Sequence, residues 1–91
     1  MKIVVAENIS DRGLEVLRRN NWEVVFLPES GGELEQEIVE ADGLIVRSVT
    51  QVTEELLSRC RKLRVVGRAG VGVDNIDLEA ATKKGVVVMI F

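Results

Sequence analysis

A chain of 91 residues with 12 Lys and Arg, 15 Asp and Glu, a net charge of −3 and no histidine makes one small acidic domain. That balance speaks against nucleic acid as a partner, because phosphate binding needs a basic surface. The single Cys60 excludes an internal disulfide, and without histidine no cysteine-based metal site can be assembled.

No apolar run approaches the ~18 residues that cross a bilayer, so no membrane partner is expected. The N-terminus lacks the basic region and long apolar core of a signal peptide, so the expected location is the cytoplasm. With two Phe, one Trp and no Tyr, the core must be built from Val, Leu and Ile. That composition suits a parallel sheet covered by helices.

Lys2–Ala6 reads as a buried strand. Ser10 then caps a helix that runs through Leu17 to Arg19, with Ile9 stapled onto Leu14, and Asn20-Asn21 ends it. Trp22–Leu27 is the second strand, closed by Pro28. Ser30-Gly31-Gly32-Glu33 fits a capping box for a second helix, whose buried stripe is Leu34, Ile38 and Val39.

Gly43–Val46 is a short third strand. Thr53 caps the third helix, Glu54 and Glu55 lie in its first turn, and Arg59, Arg61 and Lys62 suit the dipole at its end. Its inner face is Leu56, Leu57, Cys60 and Leu63, with Cys60 as a small buried hydrophobe. Leu63–Gly67 is the fourth strand. Asp77 caps a fourth helix, Leu78–Lys84, which Gly85 stops, and Val86–Phe91 is the fifth strand.

Five strands alternating with four helices imply an α/β fold with a parallel sheet and helices on both faces. The natural strand order is 2-1-3-4-5, a flavodoxin-like three-layer sandwich. Its switch point lies between strands one and three, and ligands bind beyond the carboxyl ends of strands at such a point. Three loops should meet there: Ala6-Glu7-Asn8, Arg47-Ser48-Val49-Thr50, and Gly67 through Asn75.

The glycine-rich loop is the most pointed feature. An apolar strand runs into it and a helix leaves it, which aims backbone N–H groups at an anion. A dinucleotide fingerprint would need G-x-G-x-x-G and an acid about 20 residues further on. Here Gly70-Val71-Gly72-Val73-Asp74-Asn75 puts Asn where the third glycine belongs. Asp74 inside the loop would repel a pyrophosphate. The milder reading is a nest for a small carboxylate or phosphate, with Arg47 and Ser48 adding a charged donor and a hydroxyl. The plain alternative is a tight turn that needs glycine for shape only.

Catalysis needs a positioned acid, base or nucleophile. Glu7 and Asp74 are the only acids at the ligand end, one read as a loop carboxylate and the other as a cap for nearby N–H groups. A phospho-acceptor receiver would need an Asp after strand three, where Arg47 stands. An FMN-binding flavodoxin would need a hydroxyl-rich loop after strand one, which Glu7-Asn8-Ile9-Ser10 does not supply. No catalytic residue is therefore assigned.

Ile45-Val46-Arg47-Ser48-Val49-Thr50, Val52-Thr53 and Val65-Val66-Gly67-Arg68-Ala69-Gly70-Val71-Gly72-Val73-Asp74-Asn75-Ile76-Asp77 carry a specific resemblance. They resemble the N-terminal substrate-binding segment of D-isomer-specific 2-hydroxyacid dehydrogenases, nearest to the phosphoglycerate dehydrogenase branch. The resemblance runs from Met1 to about Met89. It implies that this half-domain, residues 1–91, holds substrate against a separate NAD-binding Rossmann domain. It places Arg47 and Ser48 near the substrate and the backbone of Ala69, Gly70, Val71 and Gly72 around its carboxylate, with Asn75 fixing the loop. It puts the catalytic Arg, Glu and His, and the dinucleotide fingerprint, downstream of this segment, so no cofactor is expected on this chain.

Where that family continues through an Asn-x-Pro hinge, this chain has Ile90-Phe91. The departure implies a truncated or engineered piece, without turnover alone and with weak affinity for a small carboxylate or phosphate. The apolar end Val86–Phe91 also implies exposed surface suited to a homodimer, which leaves a structural, self-associating module as the alternative.

Overall fold

Ser10, Thr53 and Asp77 each open a helix by accepting a backbone N–H three residues ahead, from Gly13, Leu56 and Ala80. The computed structural model describes residues 1–91. These caps begin α1 (Asp11–Arg18), α4 (Glu54–Arg59) and α5 (Leu78–Lys83). The strands are β1 (Lys2–Val5), β2 (Glu23–Phe26), β3 (Gly43–Val46), β4 (Val65–Arg68) and β5 (Val87–Ile90). They form one sheet of order β2-β1-β3-β4-β5, every pair parallel. This is the order expected from the sequence.

The region between β2 and β3 departs from expectation. Pro28 does not merely close the strand; it starts a one-turn helix, α2 (Leu27–Ser30), where its missing N–H costs nothing. Ser30 does not cap the next helix, because its hydroxyl accepts from Gly32 two residues on. The next helix, α3 (Leu34–Glu37), has Glu33 at its N-cap without a side-chain bond and tightens into a 3-10 turn at Ile38–Glu40.

The end of α4 also differs. Arg59 alone occupies its last turn. The Arg61 N–H donates to the Val39 carbonyl, which pulls the chain out of the helix, and Arg61 and Lys62 pair with Glu40 instead.

Side chains alternate across the sheet. Val4, Leu44, Val46 and Val66 point to one face, where Ile38, Leu56, Leu57, Ala80 and Ala81 cover them in the main core. Ile3, Val5 and Phe26 point to the other, where only Leu14 of α1 completes a second, smaller buried cluster, with Leu17 and Trp22 packed at its margin. The α1 face is therefore unequally covered. Ile45, Val65 and Gly67 adjoin Met89 and Phe91 around a cavity of about 190 Å³ to which α1 contributes only Leu17. No helix is long and apolar enough to cross a membrane.

Candidate functional site at the switch point

Three loops meet at the carboxyl ends of β1, β3 and β4, and two side chains hold them in place. The first is Glu7, just beyond β1. Its Oε2 accepts the N–H groups of Arg47 at 2.8 Å and Thr50 at 2.9 Å, and its Oε1 accepts the Val49 N–H at 3.1 Å. Burial raises the carboxyl pKa, but the N–H groups of Thr50, Arg47 and Val49 and the Thr50 hydroxyl outweigh it. The net result is a carboxyl held below the ordinary glutamate range.

The second is Asn75, which is buried. Its Nδ2 donates to the carbonyls of Arg47 at 2.6 Å and Thr50 at 2.8 Å. Its Oδ1 accepts from Arg68 Nε at 3.0 Å. Behind it, Val52 and Ile76 form an isolated parallel bridge that ties the starts of the two following helices together.

Glu7 and Asn75 thus grip the Arg47–Thr50 loop from its donor side and its acceptor side. Within that loop only the Ser48 N–H has no internal acceptor. The Ser48 side chain is likewise exposed and without a partner, and Arg47 reaches across to the Asn8 carbonyl at 3.4 Å.

The four residues of the glycine loop separate into two kinds. The Ala69 N–H donates to Val46 and the Gly70 N–H to Phe91, both at 2.9 Å. Those two amides are engaged within the sheet. Val71 and Gly72 have no internal acceptor for theirs, and both lie exposed. Gly70 and Gly72 have φ of 122° and 85°, conformations that strain any residue with a Cβ. Asn75, at the position of a dinucleotide loop's third glycine, is spent as a buried strut.

Arg47, Ser48, Ala69, Gly70, Val71, Gly72 and Asn75 therefore share one end of the sheet. A cleft of about 410 Å³ opens between the start of α1, Arg47, Ala69, Gly70 and Phe91. Two residues of this region are not singled out by the sequence reading. Glu7 is assigned there only as a loop carboxylate, since no local pattern reveals partners forty residues away. Arg68 appears there only as one residue of the motif, with no role of its own, yet it is buried, and no carboxylate pairs with it. The signal for its burial is alternation: Arg68 follows Val66 by two residues and so faces the helix-covered side.

The model for the catalytic domain of D-isomer specific 2-hydroxyacid dehydrogenases matches residues 3–91. D-3-phosphoglycerate dehydrogenase of Archaeoglobus fulgidus is 44% identical over 90 residues, 98% of this chain and 17% of that protein. The same enzyme of Rattus norvegicus is 51% identical over 81 residues, 89% of this chain and 14% of that protein. The chain thus spans 14 to 17% of the length of these curated relatives.

Among solved structures, cofactor (NAD+)-bound 3-phosphoglycerate dehydrogenase of Entamoeba histolytica superposes with a TM-score of 0.82 at 34% identity, covering 99% of this chain and 32% of that one. The PH0520 protein of Pyrococcus horikoshii OT3 gives 0.84 at 37%, covering 99% and 27%. Sequence, strand order and loop motifs agree: the chain belongs to the D-isomer specific 2-hydroxyacid dehydrogenase family.

Proposed function

We propose that this chain is the substrate-holding half of a D-2-hydroxyacid dehydrogenase of the phosphoglycerate type, binding a small carboxylate or phosphate weakly and without turnover alone. The observation that carries the reading is the set of unengaged donors at the switch point. The N–H groups of Ser48, Val71 and Gly72 and the Ser48 hydroxyl lie on loops that meet there, beside the exposed Arg47, which makes only one bond, at 3.4 Å, to the Asn8 carbonyl. Backbone N–H groups suit a carboxylate, and a guanidinium suits a phosphate or carboxylate through paired bonds. Arg68 adds a second guanidinium whose charge no carboxylate of the chain neutralises.

Glu7 is ionised and fully engaged with backbone N–H groups, and the chain has no histidine. In this reading NAD and the proton-transfer groups belong to a separate nucleotide-binding domain, and hydride transfer requires both. The test is absorbance at the NADH band with purified chain, NAD and 3-phosphoglycerate. A flat trace is expected, and sustained NADH formation would overturn the reading.

One observation favours a second role, self-association. Val87, Met89 and Ile90 on the edge strand β5, and Phe91 just beyond it, are each 51 to 65% exposed, and the strand carries no charge, proline or bulge to blunt it. Sedimentation velocity across a dilution series decides it: a monomer at every concentration removes this role.

A further inference from the structure

We infer that Glu7 is a positioning residue for the ligand: its carboxylate shapes the Arg47–Thr50 loop so that Ser48 alone presents its N–H and hydroxyl to an incoming anion. This rests on the proposed reading of the site as an anion cradle.

The geometry carries the inference in three steps. First, a loop leaving a parallel strand exposes several N–H groups at once, and such a run of donors is itself an anion nest. Glu7 fills that nest from within, taking the N–H groups of Arg47, Val49 and Thr50 and leaving that of Ser48. An external anion cannot compete with a carboxylate tethered to the adjacent strand, so the loop offers one donor in a fixed direction instead of four in many.

Second, the acceptor side of the same loop is closed by Asn75, whose Nδ2 donates to the carbonyls of Arg47 and Thr50. Both edges of the loop are then fixed, while the Ser48 side chain stays free and Arg47 makes one bond, at 3.4 Å, to the Asn8 carbonyl. Third, Glu7 stands at the end of β1 and its partners follow β3. These are the two strands on either side of the switch point, so the clasp joins the walls between which the ligand would lie.

The experiment uses the whole 91-residue chain, 15N-labelled, as wild type, Glu7→Ala and Glu7→Gln. Two readouts are taken: amide exchange without ligand, and amide shifts during titration with D-3-phosphoglycerate. In Glu7→Ala the Arg47 and Thr50 amides should exchange ~10-fold faster or more, roughly one lost charge-assisted bond each, while Leu44 and Val66 stay protected. The Ser48 response to 3-phosphoglycerate should vanish and apparent affinity should weaken ~5-fold or more, while Val71 and Gly72 still respond. Glu7→Gln keeps one oxygen but turns an NH2 toward a donor, so it should fall between the other two.

A wild-type Ser48 response and affinity in Glu7→Ala would overturn the inference, and so would unchanged exchange at Arg47 and Thr50. A wild-type chain that gives no response to 3-phosphoglycerate overturns the ligand reading, and with it the part assigned to Ser48. The clasp itself is then judged by exchange alone, where acceleration upholds it and no change refutes it. Should Glu7→Ala fail to fold, the same comparisons are made with Glu7→Gln.

Discussion

Asn75 Oδ1 accepts a hydrogen bond from Arg68 Nε at 3.0 Å, so a buried amide orients a buried guanidinium seven residues before it. The same amide holds the carbonyls of Arg47 and Thr50. One side chain therefore sets the relative placement of the two loops that would contact a ligand. Asn75→Ala would strand an Nε–H and two carbonyls, and unsatisfied buried groups cost about 1–3 kcal/mol each before relaxation and water recover part of it. A net loss of about 2–4 kcal/mol is expected from urea unfolding. Asp74→Ala, at the exposed neighbouring position, should stay within about 0.5 kcal/mol of wild type.

Glu7 makes acid stability site-specific. Its folded-state pKa lies below its unfolded value, because bonds to the N–H groups overcome the burial that would raise it. Its contribution is complete above the unfolded pKa, near the ordinary ~4.3 of glutamate, and is lost as pH falls through the lower folded value. Wild type and Glu7→Gln should therefore differ most in unfolding free energy at neutral pH and converge below that range. A difference that persists undiminished at strongly acid pH would contradict this account.

The glycines of the loop separate backbone strain from steric contact. A Cβ on Gly70 would lie 2.9 Å from Arg68 Nη1 and would sit at φ 122°, whereas one on Gly72 meets only open space at φ 85°. Gly70→Ala should cost more than Gly72→Ala, about 2–3 against about 1–2 kcal/mol by thermal unfolding. It should also shift the Arg68 Nε–H resonance. Gly67→Ala is milder, because the atom it meets is on the exposed aromatic ring of Phe91, which has solvent to swing into.

Cys60 should be chemically quiet. Burial pushes its thiol pKa up, with Lys84 opposing in part, and its Sγ–H points at the Leu56 carbonyl at 3.4 Å. Thiolate is the reactive form, so a disulfide reagent at pH 8 should modify the folded chain at least ~100-fold more slowly than the urea-unfolded one. Comparable rates would show that this helix end opens freely.

Local chemistry made the frame legible in advance. Ser10, Thr53 and Asp77 are strong caps whose partners lie three residues away, so they announce their helices within a single turn. Alternating apolar runs and helices leave one natural order for five parallel strands, and that order fixes which loops converge.

The misreadings came where two local options competed or where the partner was distant. Ser30 had both a capping box and a short turn available, and the flexibility of Gly31-Gly32 let the turn win. Arg61 has helix-end chemistry, but the Val39 carbonyl claims its N–H. Glu7 has no local pattern at all, because its three acceptor bonds reach 40 to 43 residues ahead. Strand alternation did hold the information needed for Arg68, through its parity with Val66.

Backbone amide shifts of the wild-type chain during titration with D-3-phosphoglycerate test the central claim most directly. The account predicts saturable, weak changes concentrated at Ser48, Val71 and Gly72, with the sheet amides of Leu44 and Val66 unmoved. No change at those three amides, or changes gathered at the helix faces instead, would contradict it.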